Sequence, residues 1–565
     1  MSTSGEHRVS ARGSTALTEA RRRRFPALDP ARILYEDDAV IALDAPEGVP
    51  SQSADPAHPD DLVHRLKVFL RDRDGSEPYL GSHQRLDQDT SGVILYALDK
   101  RANKSLAAQF EGRAVDKRYV AVVEGWSGGG RRLEHQLVRG RDGNTVVAGP
   151  RDRRAKRAVT HVEVLERAGG RALLALRIET GRTHQIRAQL AASGAPILGD
   201  RLYGGARAPR LMLHAARLSL RHPLEDTPLA IDAPTPPSFL RALRGEEREP
   251  VSDALARAKE RRWGLAHRAD TTAFRLVNEG GDGLPGLAVD VYDDWAVVHV
   301  YRDDAPLEPL LDALDFRGVY LKQRPKQANV IVDGRDERYA PSEPVRGAPA
   351  PDPLVIHEHG VPYRVRLGEG LSTGIFLDQR DNRARVRELA AGRRVLNLFS
   401  YTCPFSIAAA SGGAASTLSV DASARLLEWG EEGLTLAGLA GSQHAFLQAD
   451  CFEALEGMAA RGERFDLICC DPPTYSRTKA SRWTSGTDWV ALAAACLRVL
   501  SPGGHLLACS NDRRMPHNKF RRYLHEGARE AGVSLAQLKD LPCPSDFPPP
   551  LGREPHLKSL LARVG

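Results

Sequence analysis

Residues 397–423 read NLFSYTCPFSIAAASGGAASTLSVDAS, an apolar strand followed by a loop, a helix, a second strand and an acid. In doubly wound α/β sheets the loop after the first strand packs against a cofactor, and an acid that ends the second strand bonds ribose hydroxyls. The stretch therefore predicts a Rossmann-like parallel sheet whose cofactor is contacted by Phe399, Ser400, Tyr401, Thr402 and Asp421.

Two further acids follow later strands. QADCFEAL at 448–455 offers Asp450, and FDLICCDPPTYSRTK at 465–479 ends a strand with Asp471-Pro-Pro-Thr-Tyr. Asp450 is placed to meet an adenine amino group, but Asp-Cys-Phe-Glu also resembles a helix capping box, so both interpretations stay open. NAD is a rival cofactor for such a sheet, and the missing G-x-G-x-x-G and the D-P-P motif disfavour it.

Together with STGIFLDQRDNR at 372–383 and CSNDRR at 509–514, these motifs resemble class I S-adenosylmethionine-dependent methyltransferases. The closer resemblance is to the K-type enzymes that methylate guanine N7 in large-subunit ribosomal RNA. FRLVNEGGDGLPGLAVDVYDD at 274–294 resembles the small domain shared with their cytosine-C5 relatives, the I type. The resemblance implies S-adenosylmethionine as cofactor, Asp471 as a catalytic and cofactor-binding residue, and a base pocket formed by Asp471, Pro472, Pro473, Tyr475 and Asn511.

Chemistry favours guanine N7 over cytosine C5. Methylation at C5 needs a thiolate to add to the ring first, whereas N7 already carries a lone pair and needs only positioning. Aligned on Ser510, the turn ACSND puts Asn511 where the C5 enzymes carry their thiol, and we expect Cys509 to point to the opposite face. Cys403 stands where the family usually has Gly, and we expect its side chain to narrow the cofactor loop.

A second set of motifs lies in the first half of the chain. HQRLDQDTSG (83–92), KRYVAV (117–122), ETGRTHQIRAQLAASGAPILGDRLYGG (179–205) and RLMLHAARLSLRHPL (210–224) occur in this order. Together they resemble pseudouridine synthases of the RluA type across roughly residues 30 to 225. This resemblance implies that Asp87 is the essential carboxylate, Arg182 its cationic partner, Tyr119 the ring that stacks on the target base, and Arg85 a side chain that fills the gap in the RNA.

The isomerisation of uridine to pseudouridine explains these residue types. It breaks the glycosidic bond, rotates the base and makes a C–C bond with no cofactor. An ionised carboxylate can act as nucleophile at C1′ or as base at C2′, and the sequence leaves both open. A buried carboxylate stays charged only beside a cationic group, which is why an arginine partner is expected.

The fold class predicted is a multidomain α/β and α+β chain. We expect a disordered basic tail (1–28), a mixed, mostly antiparallel pseudouridine synthase sheet (29–238), a linker (239–262), a small α+β domain (263–345) and a Rossmann-like doubly wound class I methyltransferase (346–565). The alternation of strands with helical patterns beyond residue 346 argues for βαβ units.

Bulk composition fits a cytoplasmic enzyme. The 565 residues carry a net charge of +6, and none of the seven cysteines forms a C-x-x-C pair, so neither a disulfide framework nor a metal site is predicted. No apolar run is long enough to span a membrane, and no secretory signal is apparent. The expected partner is 23S ribosomal RNA or a large-subunit precursor; the oligomeric state is not predicted.

Three alternatives stay open. The methyl acceptor could be cytosine C5 instead of guanine N7. One half could be a non-catalytic RNA-binding module, for which Cys403 is the argument in the second half. Methylation of a protein amide is a third possibility, because acid-Pro-Pro-aromatic motifs occur in such enzymes.

Overall fold

The computed structural model describes residues 19–52, 60–140, 144–149, 152–246, 248–324, 336–477, 482–550 and 552–565. The chain divides into two compact units, one spanning Arg21–His267 and the other containing Arg268–Gly565. Among the described residues, every helix is too short or too polar to cross a bilayer.

In the first unit, strands of the described residues form one mixed sheet. They are Ile33–Glu36 (β1), Val40–Ala45 (β2), Gly81–Ser82 (β3), Ser91–Ala97 (β4), Asp116–Glu124 (β5), Arg131–Arg139 (β6), Thr145–Val147 (β7), Lys156–Ala168 (β8), Arg171–Ile178 (β9), Leu213–Arg221 (β10) and Pro228–Asp232 (β11). The order is β1-β2-β4-β10-β5-β9-β8-β6-β7, with β3 on β4 and β11 on β10. β4 and β10 pair in parallel, whereas β10 pairs antiparallel with β5, as does β5 with β9. The predicted mixed, mostly antiparallel sheet is confirmed.

Residues 21–24, inside the stretch predicted as a disordered tail (1–28), are helical, and Phe25 and Leu28 are buried, so this part of the predicted tail is ordered; residues 1–18 lie outside the described residues. The other helices of this unit are Leu62–Asp74 (α1), Ala102–Glu111 (α2), Gln185–Ala192 (α3), Pro237–Arg244 (α4), Val251–Arg261 (α5) and Trp263–Ala266 (α6), with a 3-10 turn at Pro30–Arg32. Of these, α4 and α5 occupy most of the stretch predicted as a linker, 239–262. Phe239 and Leu243 of α4 are fully buried in the same apolar cluster as Val122 and Leu174. Because α4 packs on this core and residues 21–267 form one compact unit, we assign the stretch to the first unit.

Residues 268–347 contain a smaller sheet. Its strands are Ala273–Asn278 (β12), Leu287–Tyr292 (β13), Trp295–Val300 (β14), Gly318–Gln323 (β15) and Arg346–Gly347 (β16), in that spatial order, and helix Leu307–Ala313 (α7) connects β14 to β15. The parallel β14–β15 pair needs such a crossover. A 3-10 turn lies at Glu279–Gly281, and a hairpin of Leu354–Glu358 (β17) and Val361–Val365 (β18) follows.

The rest of the second unit is a doubly wound sheet. Its strands are Arg394–Leu398 (β19), Ser416–Asp421 (β20), His444–Gln448 (β21), Phe465–Cys470 (β22), Leu500–Ser510 (β25), Leu535–Leu541 (β26) and Lys558–Val564 (β27), with a hairpin of Tyr475–Arg477 (β23) and Arg482–Thr484 (β24) after β22. The helices are Arg380–Leu389 (α8), Pro404–Ser411 (α9), Ala424–Leu436 (α10), Cys451–Ala460 (α11), Trp489–Arg498 (α12) and His517–Ala531 (α13), and Leu377–Gln379 forms a 3-10 turn.

The strand order is β21-β20-β19-β22-β25-β27-β26, in which β19 pairs in parallel with β20 and β22 while β27 runs antiparallel to β25. The predicted Rossmann-like sheet is confirmed. Since carboxyl ends of parallel strands meet at one edge, the residues that follow β19, β20, β21 and β22 are brought together there.

Candidate active sites

The first unit holds an open cleft of about 920 Å³. Its lining includes the predicted residues Arg85, Asp87, Tyr119 and Arg182, and in addition His184 and Arg187. Most of these side chains lie in the loop before β4, on β5, or around the start of α3. The cleft therefore gathers residues of all four predicted isomerase motifs, although the RLMLHAARLSLRHPL strand contributes only Leu213.

The loop that carries Asp87 is held in place by a turn before β4 and by the close approach of the β4 and β10 backbones. Thr90 N donates to the Asp87 carbonyl at 2.9 Å, which closes a turn before β4. Gly92 has φ +112°, and a Cβ added there would lie 2.2 Å from the carbonyl oxygen of Ala215 on β10. Only glycine fits where two backbones approach so closely, which explains the Thr-Ser-Gly after the aspartate.

The structure corrects the predicted partner of Asp87. Arg187 Nη1 lies 3.6 Å from Asp87 Oδ2, and His184 Nε2 lies 3.9 Å from the same oxygen. Arg182 instead donates through Nε to the carbonyl of Arg157 at 3.3 Å. The reason is the start of α3: Arg182 precedes the helix, while Arg187 lies in its first turn and points inward.

Arg187 is itself held by a buried acid. Its Nε and Nη2 donate to Asp200 at 2.7 and 2.8 Å, and the Asp200 side chain is fully buried. Asp200 also accepts from the backbone N–H groups of Leu202 and Tyr203, both at 3.1 Å. Sequence reasoning assigned no role to Asp200 in GDRLYGG, since a single acid in a turn carries no signal of the distant arginine.

Tyr119 lies on β5, between β9 and β10, and lines the cleft. Burial, and then the charge of Asp87, raise the pKa of the Tyr119 hydroxyl, so the ring is neutral at physiological pH. Arg85 is exposed at the cleft wall. Next to it, His83 Nε2 is 2.8 Å from Asn103 Oδ1. The stacking role of Tyr119 and the gap-filling role of Arg85 stay predictions.

The second unit holds a more enclosed pocket of about 320 Å³ at the strand-end edge of its sheet. It brings together most of the predicted methyltransferase residues: Phe399, Tyr401, Asp421, Asp450, Asp471, Pro472, Pro473 and Asn511. Further lining residues that sequence reasoning left unassigned include Phe376, Asp378, Gln379 and Phe452. The predicted residues Ser400, Thr402 and Tyr475 are not part of the lining.

The loop after β19 explains why Ser400 and Thr402 do not line the pocket. Phe399, Tyr401 and Cys403 all have positive φ, between +52° and +58°, but only Phe399 and Tyr401 of the three line the pocket. Ser400 and Thr402 are buried, and Thr402 Oγ1 donates to the Gly374 carbonyl at 2.5 Å. The expectation that Cys403 narrows the cofactor loop is also wrong.

Cys403 is fully buried on the far side of the loop. A Cβ added at Gly430 of α10 would lie 2.4 Å from its Sγ, so the thiol occupies the space that this helical glycine leaves. Its Sγ is 3.6 Å from Ser400 Oγ. Cys403 therefore gives no reason to regard the second half of the chain as a non-catalytic RNA-binding module.

Asp421 and Asp450 each hold backbone groups at the pocket. Asp421 accepts from Tyr401 N and Ser423 N, both at 2.9 Å, which ties the β19 loop to the end of β20. Burial raises the pKa of Asp421. Asp450 caps α11 by accepting from Phe452 N at 2.9 Å, and it also lines the pocket. The helix-cap interpretation of Asp450 is therefore confirmed, and its contact with an adenine amino group stays a prediction.

Asp471 ends β22 and is oriented by an amide. Gln379 Nε2 donates to Asp471 Oδ2 at 2.7 Å, and the Gln379 oxygen accepts from Asn382 Nδ2 at 2.5 Å. Burial, followed by the charge of Asp378, raises the pKa of Asp471 to about 7. Gln379 and Asp378 lie in LDQR, a motif that supported the family resemblance without being assigned a role.

The base end of the pocket carries Pro472, Pro473 and Asn511. Thr474 Oγ1 donates to Asn511 Oδ1 at 2.7 Å. Tyr475 lies outside the lining on β23, with 38% of its surface exposed, because the chain turns into the β23–β24 hairpin there. Its predicted stacking role is therefore not supported.

Two cysteines lie at or behind the pocket. Cys509 is fully buried, with Sγ 3.6 Å from Ser559 Oγ and 3.7 Å from Gln379 Oε1, and burial raises its pKa well above the ordinary value. Cys451 lines the pocket, but its sulfur accepts from Phe399 N at 3.3 Å, and burial raises its pKa as well.

Comparisons with known proteins agree with both sites. Residues 323–563 match the model for S-adenosylmethionine-dependent methyltransferases, and residues 39–192 match that for RNA pseudouridylate synthases. The ribosomal RNA large subunit methyltransferase I of Aeromonas salmonicida is 34% identical over 298 residues, covering 52% of this chain and 74% of the relative. The enzyme of the same name from Shewanella amazonensis is 32% identical over 331 residues, covering 56% and 81%.

Among solved structures, SMU.776 complexed with SAH superposes with a TM-score of 0.50 at 28% identity, covering 61% of this chain and 87% of that chain. The fold and the strand-end pocket thus define an S-adenosylmethionine-dependent methyltransferase joined to an RNA pseudouridylate synthase domain. The chain belongs to the family of these ribosomal RNA large subunit methyltransferases.

Proposed function

We propose that the chain is a bifunctional modifier of large-subunit ribosomal RNA. The unit at 21–267 isomerises one uridine to pseudouridine, and the unit at 268–565 methylates N7 of one guanine. The substrate class is supported by the names of the relatives, which act on large-subunit ribosomal RNA, and by the pseudouridylate synthase match. An enzyme of this kind works in the cytoplasm.

The observation that carries the isomerase proposal is the Asp87 carboxylate facing Arg187 in an open cleft. Isomerisation breaks the N1–C1′ bond, forms the C5–C1′ bond and releases the C5 proton. Asp87 acts at the ribose as nucleophile at C1′ or as base at C2′, and either role needs an ionised carboxylate. Tyr119 supplies an aromatic face for a base that has left its stack, and Arg85 an exposed cation at the cleft wall.

The second pocket fits S-adenosylmethionine. All of its proposed contacts line the pocket: we expect Asp421 at the end of β20 to bond the ribose hydroxyls, Asp450 and Phe452 to contact the adenine, and the Phe399–Tyr401 turn to contact the rest of the ligand. When bound, the cofactor supplies an electrophilic methyl group. Asp471, Pro472, Pro473 and Asn511 shape the space for the accepting base.

The raised pKa values of the two cysteines at or behind the pocket favour guanine N7 over cytosine C5 as the methyl acceptor. Attack on a cytosine ring needs a thiolate, and burial raises the pKa of both Cys509 and Cys451. Asn511 lines the pocket at the position where a C5 enzyme has its cysteine. Guanine N7 needs only alignment beside the methyl group.

The test is mass mapping of modified nucleosides in large-subunit ribosomal RNA from cells with and without this gene. The expected result is the loss of one pseudouridine and one 7-methylguanosine. Loss of a 5-methylcytidine instead would overturn the N7 assignment. Loss of only one kind of mark would identify the other half as an RNA-binding module.

A further inference from the structure

The carboxylates that line the methyltransferase pocket have no cationic side chain among the other described lining residues. Four of its lining residues are aspartates, at positions 378, 421, 450 and 471, and among the described lining residues there is no lysine, arginine or histidine. Three of these acids are accounted for: Asp421 and Asp450 bond backbone at the adenosine end, and Asp471 is bonded to Gln379. Asp378 has no part in the proposed chemistry so far.

Asp378 is paired with a histidine from the other end of the domain. It lies in the 3-10 turn Leu377–Gln379, and His556, just before β27, places Nε2 2.8 Å from Asp378 Oδ2. The side chains are 17% and 23% exposed, so neither is a surface group. The bond leaves the other carboxylate oxygen available to the pocket.

Asp378 and Asp471 differ in ionisation. Burial alone would raise the pKa of Asp378, but the hydrogen bond and charge of His556, with the charges of Arg275 and Arg383, hold it below its usual value. The pKa of Asp471 is raised to about 7. At neutral pH the pocket therefore has a permanently ionised carboxylate at Asp378, beside one that is partly protonated.

The position of Asp378 along the pocket follows from the strand order. Asp450 and Asp421 follow β21 and β20, and the proposed cofactor pocket would hold the adenosine on that side of the sheet. Gln379, the neighbour of Asp378, bonds Asp471 after β22, on the other side of β19. Asp378 therefore lies toward the end of the pocket that would receive the amino-acid group of the cofactor.

We propose that Asp378, oriented by His556, is the counter-ion of the α-ammonium group of the cofactor's methionine moiety. His556 is a positioning residue that acts through Asp378. The inference rests on the proposed cofactor pocket and is independent of which RNA base accepts the methyl group.

The test is calorimetric titration of the full chain with two probes, S-adenosylhomocysteine and 5′-methylthioadenosine, which lacks the amino-acid group. Asp378→Asn is expected to weaken S-adenosylhomocysteine binding about tenfold or more, as expected for loss of a charge-assisted hydrogen bond, with 5′-methylthioadenosine unaffected. Asp381→Asn, a neighbouring exposed carboxylate outside the pocket, is the matched control and is expected to change neither.

His556 is tested by two substitutions. His556→Gln keeps an N–H that can donate to Asp378 and is expected to retain binding, whereas His556→Phe is expected to weaken S-adenosylhomocysteine alone. Equal loss for both probes in Asp378→Asn or His556→Phe would indicate a collapsed pocket and overturn the proposal. Unchanged binding of S-adenosylhomocysteine in Asp378→Asn would overturn it as well. Failure of the unmodified chain to bind S-adenosylhomocysteine would instead overturn the cofactor pocket itself.

Discussion

The guanidinium of Arg187 contacts two carboxylates. Its Nη1 lies 3.6 Å from Asp87, while Nε and Nη2 donate to the buried Asp200. Asp200 thereby fixes the orientation of the arginine, which places its Nη1 opposite the Asp87 carboxylate. Buried ion pairs of this kind are costly to break on one side, because the remaining charge has no partner.

Arg187→Lys is expected to lower the rate of pseudouridine formation by about tenfold or more, since lysine cannot bind Asp200 with two nitrogens and still reach Asp87. Arg182→Lys is the control, and a change below about threefold is expected because the Arg182 side chain bonds only a carbonyl. Pseudouridine in ribosomal RNA is the readout, with thermal unfolding to verify the fold. A loss confined to the Arg182 variant would restore the sequence-based assignment.

Asp87→Asn is expected to abolish pseudouridine and leave the methyl mark, because the amide keeps the side-chain shape but cannot act as nucleophile or base. Asp471→Ala is expected to do the reverse, because it removes the acid at the base end of the second pocket. Nucleoside analysis of RNA from cells carrying each variant checks both. If either variant, still folded, lost both marks, independent active sites would be untenable.

Cys451→Ala and Cys509→Ala are each expected to retain methyl transfer within about threefold, because N7 methylation needs no covalent addition to the base. Transfer of labelled methyl to ribosomal RNA is the measurement. Cys543→Ala, a partly buried cysteine that does not line the pocket, controls for nonspecific effects. Loss of transfer in a cysteine variant that still binds S-adenosylhomocysteine would favour the C5 reaction.

The stability of the second unit is expected to depend on pH through Asp471. Burial and Asp378 raise its pKa from 3.8 to about 7, so folding favours the protonated carboxyl. This contribution is fully present below pH 3.8 and is lost as the pH rises through about 7. Asp471→Asn has no such proton, so the stability of the unmodified chain relative to the variant should fall by on the order of 4 kcal/mol across this window. Urea unfolding of the second unit at several pH values checks this; a constant difference would contradict it.

Gly92→Ala is expected to destabilise the first unit by more than about 2 kcal/mol, because the added methyl meets the Ala215 backbone and φ is positive. Gly128 also has a positive φ, of +78°, but nothing lies within 4 Å of a Cβ added there. Gly128→Ala therefore measures the free-energy cost of an alanine at positive φ without a steric clash. Thermal unfolding of the two variants provides the comparison. Equal shifts would show that the close approach to Ala215 contributes nothing.

Sequence reasoning was most successful where position along the chain dictates position in space. The acids after β20, β21 and β22 could be predicted to meet, since parallel strands deliver their carboxyl ends to one edge. Asp87 and Tyr119 were likewise brought into one cleft. The local pattern around each residue was sufficient for these predictions.

The errors arise where a side chain's direction depends on partners far along the chain. Arg182 and Arg187 lie in one motif, and only the start of α3 and the buried Asp200 decide which faces Asp87. Alternating positive φ values in the β19 loop turn Ser400 and Thr402 inward. The Asp378–His556 bond spans 178 residues, a separation at which a single sequence carries no pairing signal.

The parallel pairing of β4 with β10 joins Ser91 to His214, whose side chains also bond across 123 residues. A polypeptide leaves the ribosome with its amino terminus first. Strands β1 to β4 are therefore synthesised long before β10, the strand that pairs with β4. Until β10 appears, the β4 edge at Ser91 and Gly92, which pairs with β10 in the complete sheet, stays uncovered. Nascent chains halted before residue 213 should therefore need chaperone protection that chains released after residue 232 do not.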